Sequence, residues 1–154
     1  MNEFMKKAIQ LAEENIQHGL GGPFGAVIVK NNTIIAHGCN MVTSSNDPTA
    51  HAEIVAIRNA CSSLNNFSLD GCTIYVNCEP CPMCLAAIYW SEIKGVYYAA
   101  TRKDAADIGF ADDFIYEELN KESKQRSIPL KQLMRSEALK VFKSWEEFED
   151  KIPY

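Results

Sequence analysis

The sequence predicts an α/β fold, with a mixed five-stranded central sheet covered by helices on both faces. Three observations carry that expectation. Phe4, Ala8, Ile9, Leu11, Ala12 and Ile16 recur at helical spacing. Short apolar, β-branched runs follow, bounded by Asn, Gly and Pro. Helix signals then alternate with strand signals down the rest of the chain, the pattern of a sheet sandwiched between helices.

Residues 3–18 read as an amphipathic helix ended by Gly19. Phe24 to Lys30 and Thr33 to Cys39 read as two strands. Asn31-Asn32 between them is a two-residue hairpin signal, because Asn tolerates positive φ. Asp47-Pro48 marks a helix start, and Ala50 to Ser62 reads as the second helix. Thr73 to Val76 is a short buried strand. Pro82 suits a first helical position, where a missing N–H costs nothing, and Leu85 to Trp90 continues that helix. Gly95 to Ala100 is the fourth strand. Residues 105–119 mix helix and loop. Ile128 to Met134 reads as a fifth strand, which Pro129 would confine to an edge. Ser136 to Lys151 reads as a final helix with Leu139, Phe142, Trp145 and Phe148 on one side.

A chain of 154 residues is one domain of ordinary size, 1–154, able to bury a full core. The first residues, Met1 to Lys7, lack an apolar stretch and cleavage site, so no secretory signal is read there. No apolar run approaches the roughly 20 residues of a membrane span. The expected location is the cytoplasm, where six cysteines are not a disulfide framework. Cys39, Cys61 and Cys72 lie in apolar segments and read as small core residues. The net charge of −5 disfavours a nucleic-acid partner, which normally demands a basic face.

Against that background stand two short segments, His51-Ala52-Glu53 and Cys81-Pro82-Met83-Cys84. One imidazole and two thiolates suit zinc, which prefers nitrogen and sulfur in a tetrahedron; three protein ligands leave a corner for water. The expected chemistry is a metal-acidified water with Glu53 carrying its proton. Cys78 offers two rival readings. With Cys81 and Cys84 it forms C-x-x-C-x-x-C, part of an iron–sulfur run whose fourth cysteine is missing. Alternatively it completes a closed, structural zinc site.

The H-x-E…P-C-x-x-C pattern is that of the zinc nucleobase deaminases. Here the chain resembles the cytidine-deaminase-like superfamily and, within it, the short bacterial guanine deaminases. The likeness runs through Gly21 to Val29, Ser45 to Glu53, Cys78 to Cys84, Gly109 to Tyr116 and a terminal Tyr154. It implies a three-layer α/β/α fold in which both ligand segments open helices, and one zinc per subunit on His51, Cys81 and Cys84. It also implies hydrolysis of guanine to xanthine and ammonia, with Glu53 as the catalytic proton shuttle. For substrate contacts it implies Asn40 on the base's polar edge, the Ala52 N–H as donor, and Asp112, or its neighbour Asp113, on the guanine N–H groups. Phe24 and Trp90 are candidate aromatic walls, although both types also fill cores, and Tyr154 would help close the pocket. The implied assembly is a homodimer in which residues from about 136 to 154 are exchanged onto the partner. Partners are then a purine base and water, without membrane. A tRNA adenosine deaminase, a cytosine deaminase and a nucleoside or pterin-like deaminase share the same zinc core.

Overall fold

The computed structural model describes residues 2–153, which fall into two compact units, Met1–Asp113 and Phe114–Tyr154. In the first, the Asn2 side chain accepts from the Met5 N–H at 3.0 Å and so caps α1 (Glu3–Gln17). Two strands follow, β1 (Gly25–Lys30) and β2 (Thr33–Cys39), joined by Asn31 and Asn32 at φ 49° and 60°. Positive φ at both positions matches the twist of the flanking strands, as the hairpin signal predicts. A single turn, α2 (Val42–Ser45), was not legible in the sequence. After it come α3 (Ala52–Leu64), β3 (Cys72–Cys78), α4 (Pro82–Trp90), β4 (Gly95–Ala100) and α5 (Arg102–Asp107).

The sheet order is β2-β1-β3-β4, with β1 antiparallel to both neighbours and β3 parallel to β4. Alternation along β1 sends Ala26 and Ile28 to one face and Val27 and Val29 to the other. The first pair joins Ile74, Val76 and Ala56 in the core beneath α3 and α4. The second joins Leu11 and Tyr75 beneath α1. Both faces of the central strands are therefore covered, which gives the expected three layers. Ile28 and Ile74 are completely buried, and each such side chain contributes about 1.5–3 kcal/mol by leaving water. Close approach of α3 requires Gly38 on β2: a Cβ there would lie 2.4 Å from the Ala52 carbonyl oxygen. That contact sets the height of the α3 N-terminus, and with it His51, above the sheet.

Four strands, not five, make the sheet. Residues 129–134 are irregular, and Met134 sits at φ 51°, turning the chain into the last helix. Pro129 has no N–H to give a ladder, and Ile128 and Leu133 are exposed rather than packed on a sheet. The apolar run that suggested a strand has no ladder partner among the described residues.

The second unit follows the start of α6 (Asp113–Asn120) and contains a 3-10 turn (Ser123–Gln125) and α7 (Arg135–Glu147). Glu118 organises its first half. Its carboxylate accepts from Lys121 Nζ at 2.6 Å, Ser127 N at 2.7 Å and Ser127 Oγ at 2.9 Å. Lys121 and then Ser127 hold the Glu118 carboxyl at about 2. None of the described residues of this unit is buried. On α7, Phe142 and Trp145 are exposed, and Trp145 stacks on Phe148 with ring centroids 6.2 Å apart. The final helix stops at Glu147, short of the expected Lys151.

Candidate active site

Two helix starts converge on the metal-ligating side chains. His51 is the N-cap of α3 and Cys81 the N-cap of α4, with Pro82 at its first helical position as expected. Neither side chain caps its own helix, so the imidazole and the thiol are free to meet one another. His51 Nδ1 lies 3.6 Å from Cys81 Sγ and 3.5 Å from Cys84 Sγ. The three ligand atoms lie within 4.8 Å of one another, the one such grouping among the described residues.

These spacings fit zinc. Bonds of about 2.3 Å to sulfur and about 2.05 Å to nitrogen, opened to a tetrahedral angle, separate N and S by about 3.6 Å. The donor chemistry fits as well. The Cys84 thiol and then His51 donate to the Cys81 sulfur and hold Cys81 at about 4, a thiolate at neutral pH. That same bond to Cys81, followed by burial, pushes Cys84 up, while the Cys81 thiolate raises His51. The lowered thiol, Cys81, thus stands at the N-terminus of α4, where the dipole favours its charged form.

Glu53 is turned inward, 8% exposed, and reaches the Cys84 thiol. Burial pushes its carboxyl up from the usual range. Cys78 belongs elsewhere. Its thiol faces the Thr101 carbonyl at 3.7 Å, outside the ligand group, and burial raises it to about 11. A thiol turned to the Thr101 carbonyl, outside the ligand group, is not placed as a fourth ligand, so the closed-site and iron–sulfur readings lose their basis.

Asn40 follows β2 and is buried, 5% exposed. Its Oδ1 accepts from Gly22 N and Val42 N, both at 3.2 Å, and its own N–H donates to the Phe24 carbonyl at 3.1 Å. With the acceptor end occupied, the Nδ2 end is left as the donor a ligand can use.

Comparison with known proteins bears on this arrangement. Residues 1–100 match the model for the cytidine and deoxycytidylate deaminase zinc-binding region. The chain belongs to this family. It is 54% identical over 151 residues to the guanine deaminase of Bacillus subtilis (strain 168), covering 98% of this chain and 97% of that one. The X-ray structure of guanine deaminase from Bacillus subtilis superposes with a TM-score of 0.97 at 54% identity, over 100% of this chain and 99% of that chain. A tRNA-specific adenosine deaminase of Aquifex aeolicus (strain VF5) is 44% identical over 100 residues, 65% of this chain and 66% of its own. The three-layer arrangement is accordingly the cytidine deaminase-like fold, and the protein is a deaminase of that family.

Of the other residues singled out, Ala52 and Asp112 stand beside the ligand group. Ala52 is the first residue of α3, 1% exposed, and its N–H is among those a helix start leaves without an intrahelical partner. Asp112 is half-buried and feels the Cys81 charge; burial, then Cys81, raises its carboxyl, and Arg102 lowers it. Asp113 is exposed and opens α6. Phe24 is half-buried and meets Phe110 edge-on, ring centroids 4.9 Å apart at 87°. Trp90 is not brought there: it ends α4, 72% exposed, about 13 Å along that helix from Cys81. The helix read from Pro82 to Trp90 already set this ring at the end away from Cys81; only its aromatic type suggested a wall. Tyr154 lies outside the described residues.

Sequence reasoning missed the residues that hold these groups. Glu79 accepts from the Arg102 N–H at 3.1 Å and pairs with its guanidinium at 3.6 Å, tying the Cys81 loop to the start of α5. Asn77, across from β1, accepts from Gly25 N and donates to the Pro23 carbonyl, both at 2.9 Å. A polar residue inside a strand is the signal that could have found Asn77, since a half-buried amide there needs partners.

Proposed function

We propose that this chain hydrolyses guanine to xanthine and ammonia. The observation that carries the reading is the degree and extent of the likeness to a guanine deaminase: 54% identity over 98% of the chain, which leaves at most a few residues of the second unit out. The tRNA-specific enzymes are less alike, 44% identical over 65% of the chain for that of Aquifex and 37% over 92% for one of Buchnera aphidicola. A net charge of −5 supports a small base over a polyanion. The expected setting is the cytoplasm; among the described residues no helix is long and apolar enough to cross a membrane.

His51, Cys81 and Cys84 would hold one zinc ion per subunit. Bound there, zinc supplies Lewis acidity that brings a water's pKa toward neutrality. Glu53 takes the proton from the attacking water as oxygen bonds to the amino-bearing C2 of guanine. It then delivers that proton to the adjacent ring nitrogen, takes the remaining hydroxyl proton as the C2 oxygen becomes a carbonyl, and passes it to the amino group, so that the C2–N bond breaks and ammonia leaves. A carboxyl raised by burial is suited to both duties, since its two protonation states lie closer in energy at neutral pH. Asn40 Nδ2 and the Ala52 N–H donate to acceptors on the base, Asp112 accepts from its N–H groups, and Phe24 packs on the ring. We assign Tyr154 to pocket closure by family likeness; Trp90 would act only at a contact not formed along its own helix.

The assembly we propose is a homodimer that exchanges the segment from about 136 to 154. The exposed Phe142 and Trp145 face of α7 supports it, because such a stripe needs apolar surface to cover it.

Zinc-loaded protein incubated separately with guanine, guanosine, adenine, cytosine and a tRNA anticodon stem tests the substrate. Ammonia release is expected from guanine alone, from protein that light scattering finds dimeric. Deamination confined to the RNA would reverse the assignment.

A further inference from the structure

On α1, Ala8, Leu11 and Ala12 turn an apolar face to the sheet, and Asn15 sits among them at 2% exposure. An amide in that position is costly unless it is bonded. Asn15 Nδ2 donates twice, to the Gly22 carbonyl at 2.9 Å and to the Asn40 carbonyl at 2.9 Å. Two carbonyls leave no ambiguity in the amide's orientation, because the reverse would set oxygen against oxygen. Its Oδ1 has no partner, the one buried side-chain polar atom so placed among the described residues.

A residue present only to fill this space would be apolar, with no orphaned oxygen. What Asn15 adds is a closed ring of bonds. It grips the Asn40 backbone directly and the Gly22 carbonyl beside it, while the Gly22 N–H donates to Asn40 Oδ1 at 3.2 Å. Gly21 allows the loop this close: a Cβ there would fall 2.3 Å from the Asn40 carbonyl oxygen and 2.6 Å from Oδ1. Both the main chain and the carboxamide of Asn40 are thereby held from α1, a layer away from the metal ligands.

We infer that Asn15 is a positioning residue for the base, acting through Asn40 by fixing where its carboxamide donor stands. The inference rests on the reading of Asn40 as a substrate contact. It assigns to α1, which supplies no ligand or catalytic group, a part in substrate affinity.

The test is a double-mutant cycle on full-length, zinc-loaded protein with Asn15→Leu, Asn40→Ala and their combination, read as kcat and KM for guanine. Asn15→Leu is expected to lower kcat/KM on the order of tenfold, chiefly through KM. In the Asn40→Ala background the same change is expected to cost almost nothing, because the donor it positions is gone. Should Asn15→Leu not fold, Asn15→Ser runs the same cycle; its hydroxyl is too short to hold both carbonyls, and water can enter. If Asn40→Ala turnover is too slow to follow, guanine binding to Glu53→Gln protein reads the cycle instead. An equal loss in both backgrounds, or a lowered Tm with unchanged KM, overturns the inference while leaving the guanine assignment intact. No effect of Asn40→Ala on guanine overturns the reading of Asn40 and this inference together.

Discussion

Glu53→Gln protein is expected to fold, to bind zinc at full stoichiometry, and to lose about 10²–10⁴-fold in kcat for guanine. The carboxyl is buried and reaches the Cys84 thiol without being one of the grouped ligands. A neutral amide of the same shape fills that space, so packing and the metal set survive. What it cannot do is accept and return a proton at one oxygen. KM should change far less than kcat, since the residue acts on the proton in flight more than on the resting base. Metal analysis beside steady-state kinetics on the same preparation separates the outcomes. A variant that retains more than a tenth of wild-type kcat, with zinc in place, would remove Glu53 from the proton path.

Removing a ligand should do something different. Cys81→Ala is expected to abolish zinc retention and activity together, and free zinc should not restore either. In the wild type, a strong chelator should abolish activity and stoichiometric zinc should return it. The physical reason lies in the ligand group itself: Cys81, held at about 4 by bonds from the Cys84 thiol and His51, is the most readily charged of the three donors. Taking that sulfur away leaves His51 and Cys84, one ligand short of a set that leaves a corner for water. The fold should persist in weakened form, because the cores on either side of the sheet contain neither Cys81 nor His51. Retained zinc in Cys81→Ala protein, measured after dialysis, would place the metal elsewhere.

How much of this was readable in advance differs by the kind of residue. Local rules worked where the chain decides its own conformation: Asn31-Asn32 makes the hairpin, Pro82 starts α4, and the spacing of Phe4 to Ile16 makes α1. They failed at Ile128–Met134, where a short, partly apolar run reads as a strand but finds no ladder among the described residues, and where Met134 adopts a left-handed φ. A strand exists only through its neighbour, and no window of sequence contains the neighbour. Trp90 shows a different limit: residue type alone suggested an aromatic wall, although the helix read from Pro82 to Trp90 already set it at the end away from Cys81.

By itself the sequence determined the starts of α1 and α4, the hairpin and the inventory of zinc-binding groups, because each follows from side-chain chemistry within a few residues; it set the start of α3 at Asp47-Pro48, which the structure moves to Ala52. Only the tertiary structure decided that Cys78 turns to the Thr101 carbonyl while Cys81 and Cys84 turn to His51. It alone decided that Asn15, in an otherwise apolar stripe, holds Asn40 from twenty-five positions away. Metal geometry and buried amides are satisfied by atoms remote in the chain, and the sheet that brings those atoms within bonding distance is itself a long-range construction.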